Sequence, residues 1–226
     1  MNQLQDTDKR NSRFPLVDYT RALAVYLMVI FHLSFDLKIF GFAQIDFQRN
    51  LFWWSFPRVI VFLFLFSMGM SFEISFEKGL NTQKFFKRVG KIVFCAALIT
   101  LFTYFAYPSR WIYFGTLHCI AICSFFAVPF RARPRTALTF SLIILAPLLW
   151  GYRWPWIKLE HASLDYIPAL PWMGVVLLGM AAKNFGLHQV TLPSIRFITL
   201  TSKHSLYIYL LHQPLLYGLV YLFYTW

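Results

Sequence analysis

Residues 16–40, LVDYTRALAVYLMVIFHLSFDLKIF, hold four ionisable side chains in an otherwise apolar run: Asp18, Arg21, His32 and Asp36. Their types suggest chemistry. An imidazole can act as a general base, a carboxylate one turn away can orient it, and a guanidinium can meet an anion. At 100° per residue all four fall within a stripe about 60° wide, while Leu23, Leu27, Ile30 and Phe31 point in other directions. An ionisable group inside a membrane helix costs about 2.5–3.5 kcal/mol on insertion scales, so such groups face a bundle interior or a wet cavity. Arg21 and His32 lie eleven residues apart, roughly 16 Å along a helix axis. The stripe is therefore expected to form a polar seam through the bilayer. Solvation at a helix end explains Asp18, Arg21 or Asp36 singly, but not His32, which apolar residues flank on both sides.

Four further residues extend the candidate site. Arg58 and Glu73 stand near opposite ends of the next apolar run, at the expected levels of Asp36 and Arg21, so Asp36–Arg58 and Arg21–Glu73 ion pairs are expected between neighbouring helices. Snorkelling of Arg58 and solvation of Glu73 are the alternatives. His118 and His212 lie in later apolar runs, His212 beside Pro214, which removes a backbone donor. Three histidines and Asp36 in one layer could satisfy a metal, but they lack short ligand spacing and none is expected. No Gly-rich phosphate loop, HExxH, CxxC or GxSxG motif occurs.

These side chains need helices to carry them. Of the 226 residues 58% are hydrophobic and 13% charged, against about a quarter charged in soluble domains, which makes the chain a polytopic membrane protein. Seven apolar segments can be drawn, roughly 16–38, 51–75, 89–107, 111–130, 136–152, 168–186 and 200–225, each near the length of a span. The predicted fold is all-α: a polar N-terminus over 1–15, then one transmembrane bundle over 16–226. With the N-terminus inside, 15 of the 21 Lys and Arg fall on inner segments and 6 on outer ones. That bias predicts a cytoplasmic N-terminus and an external C-terminus. It also turns the +12 net charge into an orientation signal rather than one for nucleic acid. The basic inner loop 76–91 reads as a headgroup-binding segment or as a dock for a polyanionic cofactor. Ser67, Met68 and Gly69 offer a close helix crossing.

The stretches DYTRALAVYLMVIFHLSFDL, FLFLFSMGMSF, GTLHCIAI and HSLYIYLLHQP together resemble the bacterial family named after heparan-α-glucosaminide N-acetyltransferase. More distantly they are similar to acyltransferase-3 membrane enzymes, with an Arg-(apolar)-His first span and a later YLLH-P pattern. The resemblance covers most of the chain and implies transfer of an acyl group, acetyl by expectation, from cytosolic acyl-CoA to a glycan or other envelope acceptor outside the bacterial inner membrane. The first-span catalytic histidine of the acyltransferase-3 pattern carries over to His32 and the preceding arginine to Arg21. The lysosomal enzyme looks different here, with Asn at the His32 position and its catalytic histidine in the following loop, whereas loop 37–52 contains no histidine.

On that reading His32 is the base, Asp36 its orienter and Arg58 a support for the acyl oxyanion. Arg21, Lys84, Lys87, Arg88, Arg131, Arg133 and Arg135 are expected to hold the phosphates of acetyl-CoA, with His118, His212 and Glu73 as pocket residues. The other reading is a small transporter whose seam conducts protons or a solute; no internal repeat supports it.

Overall fold

The computed structural model describes residues 14–226, so the polar N-terminal segment, save Phe14 and Pro15, lies outside it. The described residues form eight α-helices: α1 Pro15–Ile39, α2 Leu51–Ser75, α3 Thr82–Ala106, α4 Thr116–Ala127, α5 Pro134–Leu149, α6 Ala169–Asn184, α7 Arg196–Lys203 and α8 Ser205–Thr225. Four of them, α1, α2, α3 and α8, are long and apolar enough to cross a membrane. At 25 residues each, α1 to α3 run roughly 37 Å, enough for a hydrocarbon core about 30 Å thick.

The apolar core is centred on α6, which packs along both α2 and α5. The α2–α6 crossing is very close, and two glycines permit it. A Cβ on Gly69 would run into the Val176 carbonyl, and one on Gly179 into that of Phe66. The small residues at 67–69 thus do make a close crossing, with α6 as the partner. Ser141 ties α5 to the same helix by donating to the Gly174 carbonyl at 2.8 Å.

Two sequence-derived boundaries shift for identifiable reasons. The span drawn over 111–130 becomes helical only at Thr116, because residues 111–114 run back beside the end of α3. The Ile112 carbonyl accepts from Thr100 at 2.8 Å, and its N–H donates to Thr103 at 3.0 Å. Non-helical backbone at this depth needs protein partners, and the two threonines supply them. The span drawn over 200–225 is two helices. Ser202 lies inside α7, and the chain breaks at His204.

Candidate functional site

The polar stripe of α1 faces protein along its length. At one end the Ser202 hydroxyl donates to Asp18 at 2.6 Å, while the Arg21 guanidinium donates to Ser71 and, at 3.5 Å, to Ser202. At the other end, four residues of α1 and α8 meet. The rings of His32 and His212 stand edge to face, centroids 4.7 Å apart. Beside them Gln213 Nε2 donates to Asp36 Oδ1 at 2.9 Å, and Asp36 is fully buried.

This geometry fixes the His212 tautomer. Its Nδ1 lies 2.8 Å from the Tyr209 carbonyl, and since a carbonyl can only accept, Nδ1 carries the hydrogen. In the neutral ring Nε2 then keeps a lone pair. That atom, Asp36 Oδ2 and Gln213 Oε1 are all buried with no partner among the described residues. Unpaired buried polar atoms are costly, by about 1–3 kcal/mol each, and all three lie along this one helix pair.

Several sequence expectations are corrected here. Asp36 bonds to Gln213 rather than to Arg58. Arg58 is exposed, donates to the Trp54 carbonyl and stacks on the Trp54 ring at 3.6 Å, so it does not point at the histidines. Arg21 pairs with hydroxyls instead of Glu73. Glu73 accepts from the Ala132 N–H at 2.7 Å, supporting a residue held at φ 57°, a conformation unfavourable without glycine. The physical reason is one rotation: the stripe of α1 turns toward α7 and α8, although α1 also packs on α2. Among the described residues the one ion pair is Lys183–Glu77, at 2.8 Å.

His118 is occupied locally. Its Nδ1 accepts the Gly115 N–H at 3.1 Å and its Nε2 meets Thr100 Oγ1 at 3.1 Å, which closes the start of α4. Asp165, from the loop before α6, accepts there from the Thr116 N–H at 2.9 Å and its hydroxyl at 3.1 Å. Burial pushes the Asp165 carboxyl above its usual range, against the opposing hydrogen bonds from Thr116 and Tyr209. Gly115 is required because a Cβ there would strike that carboxylate.

A cavity of about 840 Å³ opens between α1, α2, α3, α4, α7 and α8. Arg21, Lys84, Lys87, Arg88, Lys91 and Lys203 line it at one end. Asp18 also lines the cavity, bonded to Ser202, so six cations against one carboxylate leave an excess of positive charge that attracts a polyanion. Arg131, Arg133 and Arg135 do not line it: Arg131 donates to the Phe76 carbonyl at 3.1 Å and Arg133 to that of Pro129 at 3.3 Å. The far end is formed by Phe64, Thr116 and Tyr209. Tyr209 is the bridge between cavity and histidines, since its ring lines the one and lies 5.8 Å from His212. Gln213, Tyr209, Ser71 and Ser202 escaped sequence reasoning. Position 213, directly after the histidine in the YLLHQP stretch, was the one available signal.

No group of three or more His, Cys, Asp or Glu side chains that could hold a metal ion occurs among the described residues.

An all-helical bundle with four membrane-length apolar helices, and a histidine pair beyond a cation-lined cavity, defines the class of integral membrane protein. Residues 13–214 match the model of the family described as heparan-alpha-glucosaminide N-acetyltransferase, catalytic, and the chain belongs to that family. No curated protein and no solved structure matches it.

Proposed function

We propose that the protein is a membrane acyltransferase that moves an acetyl group from cytosolic acetyl-CoA to a glycan or other envelope acceptor across a bacterial inner membrane. The observation that carries this reading is the arrangement of the cavity. Its mouth is ringed by Arg21, Lys84, Lys87, Arg88, Lys91 and Lys203, and only the Tyr209 side of its floor lies between it and the histidine pair. Phosphates of the donor sit at the mouth, where the clustered positive charge favours them. The neutral pantetheine arm runs inward past Phe64, Met68 and Ile92, and the thioester arrives near Tyr209.

His32 then serves as general base, taking the proton of the acceptor's amine or hydroxyl as its N or O attacks the thioester carbon and CoA thiolate leaves. Loss of that proton neutralises the acylated acceptor, and protonation of the thiolate completes the balance. His212 holds a lone pair beside His32 and can share the proton. Asp36 Oδ2 and Gln213 Oε1 are free acceptors for the donors of a hydroxylated or amino acceptor. In this arrangement Asp36 positions the site through Gln213. The Lys and Arg bias supports a basic mouth on the cytoplasmic side, seven crossings and an external C-terminus.

The test is acetyl-CoA consumption by purified protein in liposomes, with and without envelope glycan. Acceptor-dependent release of CoA supports the reading. Absence of turnover together with absence of CoA binding overturns it. Topology is tested separately: a reporter after Trp226 should be external and one within 78–88 cytoplasmic, and finding both on one side contradicts the seven-span arrangement.

A further inference from the structure

Each helix around the cavity contributes one lining residue farthest from the basic mouth, and these residues define the floor. On α2 the lining runs from Ser75 to Phe64, a depth of about 16 Å. On α4 it ends at Thr116, the first residue of the helix, and on α8 at Tyr209. The Phe64 and Tyr209 rings meet edge to face at 6.1 Å, and Thr116 stands beside them.

Two contacts hold Tyr209. Its carbonyl accepts from His212 and its ring is wedged between Phe64 and His212, with its hydroxyl end near Asp165 and Thr116. Asp165 is in turn fixed to the N-terminus of α4 by two hydrogen bonds. A ring packed between two other rings cannot swing aside without losing those contacts. The floor is therefore a packed aromatic surface, whereas long cationic side chains line the mouth.

We propose that Tyr209, wedged between Phe64 and His212, is the residue that limits acyl-chain length in the donor. This rests on the donor-site reading above, because it takes the acyl end of the thioester to lie against the floor. A short acyl group ends at the ring, while a longer one would have to displace it. Discrimination of about 10–200-fold per methylene is attainable in a fitted apolar pocket, and a packed aromatic wall is the kind of surface that produces it.

The experiment measures binding of CoA, acetyl-CoA, butyryl-CoA and hexanoyl-CoA to the full chain in detergent, for wild type, Tyr209→Phe, Tyr209→Leu and Tyr209→Ala. Each variant is read as its own ratio of acetyl-CoA to hexanoyl-CoA affinity. Wild type should favour acetyl-CoA by roughly tenfold or more. Tyr209→Phe keeps the wall, so its ratio should stay near that of wild type. Tyr209→Leu and Tyr209→Ala remove the wall, and their ratios should collapse toward one or invert. If Tyr209→Ala does not fold, Tyr209→Leu answers the same question. A wild-type ratio retained in Tyr209→Leu or Tyr209→Ala overturns the length limit and leaves the donor site standing. Failure of wild type to bind CoA at all overturns the donor site, and the length limit falls with it.

Discussion

Two helix contacts hold this protein together on opposite principles. Where α2 crosses α6, glycines let the backbones touch, and the residues they meet, Val176, Met180, Phe66 and Met70, are apolar. Where α1 meets α8, two histidines, a carboxylate and an amide face each other, and three of their polar atoms have no partner among the described residues. The first contact derives its strength from packing, which in a membrane is the main force between helices. The second sacrifices stability, since unpaired buried polar groups are unfavourable. A chain that keeps such groups in one place while packing tightly elsewhere has separated scaffold from chemistry.

That contrast can be broken from either side. The largest effect is expected at the polar contact: His32→Ala should lower acetyl transfer by about 10²–10⁴-fold, the usual worth of a general base, while thermal stability stays near wild type. Equal losses of activity and stability would show that the histidine is a packing residue. At the apolar contact the pattern reverses. Gly179→Ala or Gly69→Ala forces a Cβ against backbone and should destabilise by about 1–3 kcal/mol, seen as a lower unfolding midpoint in detergent at every pH. The turn beyond α4 should respond similarly to Glu73→Ala, which strands the Ala132 N–H at a cost of about 1–3 kcal/mol.

The smallest effect belongs to Glu77, whose carboxyl is held below its usual range chiefly by its hydrogen bond from Lys183. A carboxyl depressed in the folded state adds stability above its unfolded value, about 4.3 for Glu. That stability is lost as pH falls through the lower folded value. The Glu77 side chain is 60% exposed, so Glu77→Gln should shift the unfolding midpoint only slightly at pH 7. The difference from wild type should vanish in acid, and one that grew on acidification would contradict the sign.

Much of this contrast was legible in the sequence, but not evenly. The stripe on α1 was visible because helical periodicity alone puts Asp18, Arg21, His32 and Asp36 on one face. The close crossing was visible because Gly69 sits among small residues inside an apolar run. Their partners were not visible. A short loop argues that α1 and α2 are neighbours, and they are, yet rotation about the α1 axis sends the polar stripe to residues 177 to 184 positions away. That rotation is why Arg58 and Glu73 were expected as ion-pair partners and are found elsewhere. Arg131, Arg133 and Arg135 carry the same charge as Lys84, Lys87 and Arg88, and only the position of α3 against α4 and α8 decides which cluster meets the cavity. Tyr209 and Gln213 are ordinary residue types whose roles arise from burial.

The central claim is that the cation-lined cavity is a donor site ending at the histidine pair, and CoA binding to the purified wild-type protein tests it most directly. Calorimetric titration should show one site per chain, with affinity that falls as salt rises because the contacts are charge-assisted. Arg88→Gln and Lys87→Gln should weaken it, while Arg133→Gln, outside the cavity, should leave it unchanged. No binding, or binding weakened equally by Arg133→Gln and Arg88→Gln, would contradict the account.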